Sequence, residues 1–200
     1  MNKKQQASEL TRRRIVESAR HVFIQKGYAA TSIEDLAAAT GSSKGNIYYH
    51  FKSKEGLMLF LLQEWEREWE EQWSEIEPLY FTFTDKMYGI ADYLVQNGFN
   101  HPLTKVANEF YSNKWVKDDI QEQISQIMLA RVTFNEILLQ EGVNQGEFDL
   151  GPDEVNILAI IFEGLLTGLG EMTQNANLDQ ALKIYKKSID VFLYGIAKRS

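Results

Sequence analysis

Apolar residues recur along this chain at spacings of three and four, and no stretch of five or more residues alternates in the manner of a half-buried strand. Ile15, Ala19, Val22 and Phe23 follow one helical face until Gly27, which predicts a helix over roughly 9–26 closed by a glycine cap. Thr31 or Ser32 can cap a short helix from Ile33 to Ala39, with Glu34 and Asp35 in the first turn, where the helix dipole favours anions. Gly41 closes it, and Ser42 or Ser43 caps a second short helix from Lys44 to Phe51. Ser53 then caps a long helix that Pro78 ends near Glu77. Four more segments follow before the last: Thr84 to Asn97, stopped by Gly98; one from Pro102 with Leu103, Val106, Ala107, Phe110 and Tyr111 on one face; 117–141, stopped by Gly142; and about 153–174. A final helix covers about 178–197. The pattern is that of an all-α protein of about nine helices, with no internal repeat and no linker.

The two short helices carry the chemistry. In residues 32–52, Ala37 is small where two helices cross, Gly41 permits a left-handed turn between them, and Ile47 anchors the second helix on the first. These are the requirements of a helix-turn-helix. The second helix then exposes Lys44, Gly45, Asn46, Tyr48, Tyr49 and His50, side chains suited to phosphates and base edges in a major groove. Among them Asn46 is best able to read a base, by a bidentate bond to adenine. Tyr48 and Phe51 also suit packing of a small domain.

Charge sharpens the picture. The chain has a net charge of −7, yet residues 1–53 hold nine Lys/Arg against four acids, while the remainder is strongly acidic. A basic head on an acidic body can face a polyanion while the body turns away. Zero cysteines exclude a disulfide framework and a thiolate metal site. The basic start lacks the apolar run of a secretory signal, and the longest apolar stretch, Ile157 to Gly170, is interrupted by Glu163 and falls short of a bilayer span. The expectation is a cytoplasmic protein without a membrane segment.

Residues 31–57, TSIEDLAAATGSSKGNIYYHFKSKEGL, resemble the TetR family of bacterial transcriptional regulators. The preceding Phe23-x-x-x-Gly27-Tyr28, the Tyr48-x-x-Phe51 ending and Lys52-x-Lys54-Glu55-x-Leu57 fit the same pattern. Ser42 departs from it, since the family usually has an apolar residue there, and a looser turn is expected. The C-terminal part is similar only in architecture and in two loose signatures, Glu141-Gly142-x-x-x-Gly146-Glu147-Phe148 and Glu163-Gly164-Leu165. The resemblance implies a helix-turn-helix DNA-binding domain over 1–53 and a helical effector-binding and dimerisation bundle over 54–200. It implies phosphate contacts from Thr31, Tyr49, His50 and Lys54, and a groove-facing set of Lys44, Gly45, Asn46 and Tyr48. The function it implies is a ligand-responsive repressor, a homodimer on a palindromic operator, released by a small molecule.

The body offers less. Trp65, Trp69 and Trp73 recur every four residues. They form either a core stripe or, with Phe110, Tyr111, Trp115 and Phe134, the wall of a pocket for a hydrophobic or cationic effector. Glu163, the one charge in a nearly apolar helix, is either the counter-charge for that effector or a structural group bonded to a neighbouring Tyr or Asn. His21, His50 and His101 have no ligand-spaced partner, so no metal or other cofactor is expected. No nucleophile-base-acid set or phosphate-cradling loop is present, which argues against an enzyme. An all-helical protein-protein adaptor is the alternative. For the dimer, two stripes stand out: Leu158, Phe162, Leu165 and Leu169, and Leu182, Tyr185, Ile189, Phe192 and Ile196. Their alternation by three and four predicts a four-helix, two-fold seam, with Ile157, Ile161, Gly164 and Gly168 on another side of the earlier helix.

Overall fold

The computed structural model describes residues 2–98, 101–112 and 118–196, and among these the secondary structure is helical throughout. The α-helices are α1 (Lys3–Lys26), α2 (Ile33–Thr40), α3 (Lys44–Phe51), α4 (Lys54–Ile76), α5 (Phe83–Tyr93), α6 (Pro102–Tyr111), α7 (Asp118–Asn144), α8 (Pro152–Met172) and α9 (Leu178–Ile196). A 3-10 turn over Glu77–Leu79 follows α4, and a π turn over Leu94–Gly98 follows α5.

Local chemistry explains where the helices differ from the periodic pattern. Helix α1 starts six residues earlier than the predicted start at Glu9, because Asn2 and Gln5 form a reciprocal capping box, each side chain accepting from the other's backbone N–H at 2.9 Å. Helix α5 is capped by Thr82 rather than Thr84. Helix α7 runs through Gly142, which is not a stop: a Cβ there would lie 2.7 Å from the Phe148 ring and 3.0 Å from Phe83, so the glycine lets two aromatic rings close on the helix. Those rings meet edge to face at 4.9 Å.

The chain divides into two compact units, Met1–Trp69 with Pro102–Ile124, and Glu70–His101 with Ser125–Ser200. The first buries Ile15, Ala19, Phe23, Leu36 and Ile47 beneath the short helices, with Leu57, Leu61 and Phe110. The second is centred on Trp73, Phe83, Ile90, Ala159, Phe162 and Ile189. Trp73 stacks on Tyr80 at 5.7 Å, so this tryptophan is core. A buried Lys86 bridges Glu77 and Glu141, and Glu147 accepts from the Phe83 and Thr84 N–H groups at the head of α5.

Helix α8 requires a correction. By length and composition it is apolar enough to cross a membrane, although the run counted from Ile157 to Gly170 is too short, because Pro152 starts the helix well before that run. Within the second unit its inner face packs on α9, where Phe162 and Phe192 lie 5.0 Å apart. Glu163 is held structurally: it accepts from Asn135 at 3.2 Å and from Thr167 at 3.2 Å, and pairs with Arg131 at 3.6 Å.

Candidate nucleic-acid interface

The head is built on caps. Ser32 and Asp35 form a capping box at α2, Gly41 closes α2 in the left-handed region with φ 61°, and the Ser43 side chain accepts from the Asn46 N–H at 3.2 Å to start α3. Ile47 and Phe51 are buried, which fixes the rotation of α3 about its axis. Lys44, Gly45, Tyr48 and Tyr49 are therefore turned outwards, with Asn46 and His50 half-buried beside them. Tyr49, 70% exposed, meets His50 edge to face at 5.1 Å. Gly45 has open space around it: an added Cβ would meet nothing nearer than the Ser43 hydroxyl at 3.9 Å, so the protein's own packing does not require glycine there. Ser42 is buried and its hydroxyl accepts from Arg14 at 3.5 Å, so the departure at this position ties the turn to α1 instead of loosening it.

Two expected phosphate ligands are otherwise engaged. Thr31 is 2% exposed and its hydroxyl donates to the Gly27 carbonyl at 2.6 Å, which takes its side chain out of a DNA-facing role. The Lys54 ammonium donates to the Tyr28 and Thr31 carbonyls at 3.0 and 2.9 Å and lies 4.3 Å over the Tyr28 ring. Lys54 thus clamps the α1–α2 turn. From the other side, Glu109 of α6 accepts from the Tyr28 and Ala29 N–H groups at 2.8 and 3.0 Å. Gly27 fits that grip, since its φ is 82° and a Cβ there would stand 2.9 Å from the Glu109 carboxylate. Burial, and then Glu55, which accepts from the Tyr28 hydroxyl at 3.1 Å, push that hydroxyl well above its usual range. Sequence reasoning misses Glu109, because no local spacing links it to a turn 80 residues earlier.

The candidate pocket residues fall in both units. Trp65, Trp69, Phe110 and Tyr111 belong to the first unit, where Phe110 is fully buried with its ring 4.8 Å from Tyr28. It is core rather than an open pocket wall. Phe134 and Glu163 belong to the second unit, and Trp115 lies outside the described residues. Two open grooves of about 700 Å³ each are lined by other side chains, one by α1 and α4 in the first unit and one by α8 and α9 in the second.

The family model for bacterial regulatory proteins of the tetR family matches residues 15–60, and that for the C-terminal region of QacR-like proteins matches residues 65–198. The chain belongs to the TetR family of transcriptional regulators. Among curated TetR-family relatives, it is similar to the HTH-type transcriptional regulator QacR of Staphylococcus aureus, 29% identical over 185 residues, 92% of this chain and 97% of that one. Among solved structures, a TetR-family regulator from Pectobacterium atrosepticum has a TM-score of 0.75 at 19% identity, over 100% of this chain and 99% of that one. The regulator FadR of Bacillus subtilis, in complex with stearoyl-CoA, has a TM-score of 0.74 at 20% identity, over 92% and 98%. These likenesses show the TetR fold: an N-terminal helix-turn-helix followed by a helical domain.

Proposed function

We propose that this TetR-family protein is a cytoplasmic repressor that binds a palindromic operator as a homodimer and leaves it when a small molecule binds. Residues 1–53 serve as the reading head, and residues 54–200 take up the effector and form the dimer. The observation that carries the reading is the outer face of α3, where Lys44, Gly45, Asn46, Tyr48 and Tyr49 surround a helix pinned by Ile47 and Phe51. Packing gives no reason for Gly45, whereas a duplex approaching the start of the helix does. Tyr49 and His50 reach phosphates, and Asn46 reads a base.

The dimer surface differs from the stripes the spacing selects. Phe162, Tyr185, Ile189 and Phe192 are buried within one subunit, and Leu158, Leu165, Leu169 and Leu182 are half-buried. The side chain of Ile196 lies outside those described. The faces left open are Ile157, Ile160 and Ile161 on α8 and Ile184, Val191 and Tyr194 on α9. An added Cβ at Gly164 or Gly168 meets nothing within 4 Å of its own chain, which suits close approach of a second helix. This face supports the two-fold four-helix interface. The effector belongs with half-buried Trp65, Trp69 and Tyr111, whose aromatic surface suits a hydrophobic or cationic molecule. The same fold holds stearoyl-CoA in the B. subtilis protein, which is consistent with an apolar ligand.

The test is fluorescence anisotropy with the DNA upstream of the protein's own gene, followed by single-base variants of the bound site. Asn46→Ala is expected to relax preference at one base pair per half-site by about 1–3 kcal/mol. An unchanged ranking of variants removes Asn46 as the reader, and equal affinity for upstream and scrambled DNA overturns the operator reading.

A further inference from the structure

Helix α3 contains one lysine, Lys44, at its first position, where it would meet a duplex. Its ammonium is bonded to the carboxylate of Glu34 in the first turn of α2. The neighbouring acid, Asp35, has a clear structural role, since it closes the capping box on the Ser32 N–H at 2.9 Å and hydroxyl at 2.7 Å, and pairs with Lys26 at 2.6 Å. Glu34 takes no part in the cap, and its only side-chain partner among the described residues is Lys44. Both side chains are largely exposed, at 65% and 52%, so nothing in the core requires them to meet. The bond to Lys44 holds the Glu34 carboxyl below its usual range.

Such a pair is weak in water and screened by salt, and a phosphate can compete for the lysine. Until it does, the start of the reading helix carries no net charge from Lys44. Binding to duplexes of any sequence depends on phosphates neutralised one by one, so a lysine already paired contributes little to it. We propose that Glu34 is a specificity-determining residue: it withholds Lys44 from the phosphates of non-operator DNA and yields it only when the operator engages the other contacts of α3. This rests on the DNA-binding reading above and concerns how that site discriminates.

The experiment measures binding of the full chain to a random-sequence duplex of about three helical turns by anisotropy across a salt series, with wild type, Glu34→Gln, Lys44→Met and the double variant. Glu34→Gln is expected to tighten binding to this duplex about threefold to tenfold and to steepen the salt slope by about one unit per protomer. Its thermal midpoint should fall only slightly, through the dipole interaction of one first-turn anion, whereas a merely structural role would move the midpoint and leave the slope. In the Lys44→Met background Glu34→Gln should have no effect, because the effect runs through the pair. An unchanged affinity in Glu34→Gln overturns the proposal, as does an equal gain in both backgrounds, which would make Glu34 a simple repeller of phosphate. If no variant binds the duplex at low salt, the DNA-binding reading falls and this proposal falls with it.

Discussion

Helix α3 and helix α8 present their surroundings with opposite problems. In α3 two apolar side chains, Ile47 and Phe51, point inwards, and the remaining face is polar or aromatic and open. In α8 apolar side chains surround much of the helix: Val155, Ala159 and Phe162 are buried, while Ile157, Ile160 and Ile161 stand more than half exposed. A helix with one apolar face has one way to pack, so its outward residues follow from its inward ones. A helix that is apolar nearly all round has two candidate seams, and only its neighbours decide which is internal. The head therefore exposes chemistry that its own folding leaves over, whereas the α8–α9 pair exposes apolar surface that calls for a second body.

That contrast is broken or sharpened most strongly by a pair of substitutions on the two sides of α8. Ile161→Glu places a charge on the open face and is expected to give monomers by sedimentation that keep the native helical content by circular dichroism. Operator affinity should then fall by about 10²-fold or more as the linkage of two heads is lost. Phe162→Ala, one residue away, opens a cavity against Phe192 and should cost about 3–5 kcal/mol of subunit stability by denaturant titration. If Ile161→Glu remained a dimer, the open face would not be the interface. If Phe162→Ala were the variant that dissociated without loss of subunit stability, the seam chosen by spacing would be restored.

A smaller effect is expected in the head, where Lys54 is a clamp in this structure. Lys54→Ala removes two hydrogen bonds from an ammonium to the Tyr28 and Thr31 carbonyls and should lower stability by about 2 kcal/mol. The salt slope of DNA binding should stay at its wild-type value. A slope flatter by one unit with unchanged stability would return Lys54 to the phosphates.

The smallest effect concerns the second unit and pH. Tyr88 donates to Asp190, and this bond, followed by burial, pushes the Tyr88 hydroxyl up to about 12, while the same bond holds the Asp190 carboxyl below its usual range. A raised tyrosine contributes stability that is complete below its unfolded value near 10 and is lost as pH rises through about 12. A lowered aspartate contributes stability present above its unfolded value near 4 and lost as pH falls. The gap in thermal midpoint between wild type and Tyr88→Phe should therefore be constant from about pH 5 to 10 and close on both sides. A gap that is flat across the whole range would show that the bond does not persist in solution.

Much of the head was legible because its determinants are local. Ser32, Gly41 and Ser43 act within a turn of their own positions, and Ile47 acts on the adjacent helix. The helix boundaries missed by apolar periodicity had causes it does not register: the Asn2–Gln5 box lies ahead of the stripe, and Gly142 answers to the nearby Phe148 ring and to Phe83 far off in sequence. Thr31 and Lys54 meet backbone carbonyls in this structure, because a side chain suited to phosphate is equally suited to a carbonyl and only proximity chooses between them. Phe110 carries the same ambiguity, since an aromatic residue on an apolar face fits a pocket wall as well as it fits the edge of Tyr28.

By itself the sequence determined that this chain is helical, where most of its helices begin and end, and which turn sets α3 with Lys44, Gly45 and Tyr49 outwards. Those outcomes depend on caps, glycines and periodicity, which act over a few residues and are written contiguously. Only the tertiary structure decided that Glu109 grips the α1–α2 turn, that Glu163 is held by Arg131 and Asn135, and that Phe162 and Phe192 face each other inside one subunit. Each of these is a contact between segments distant in sequence, fixed by the packing of whole helices, and the spacing of residues along one helix carries no record of which surface it will meet.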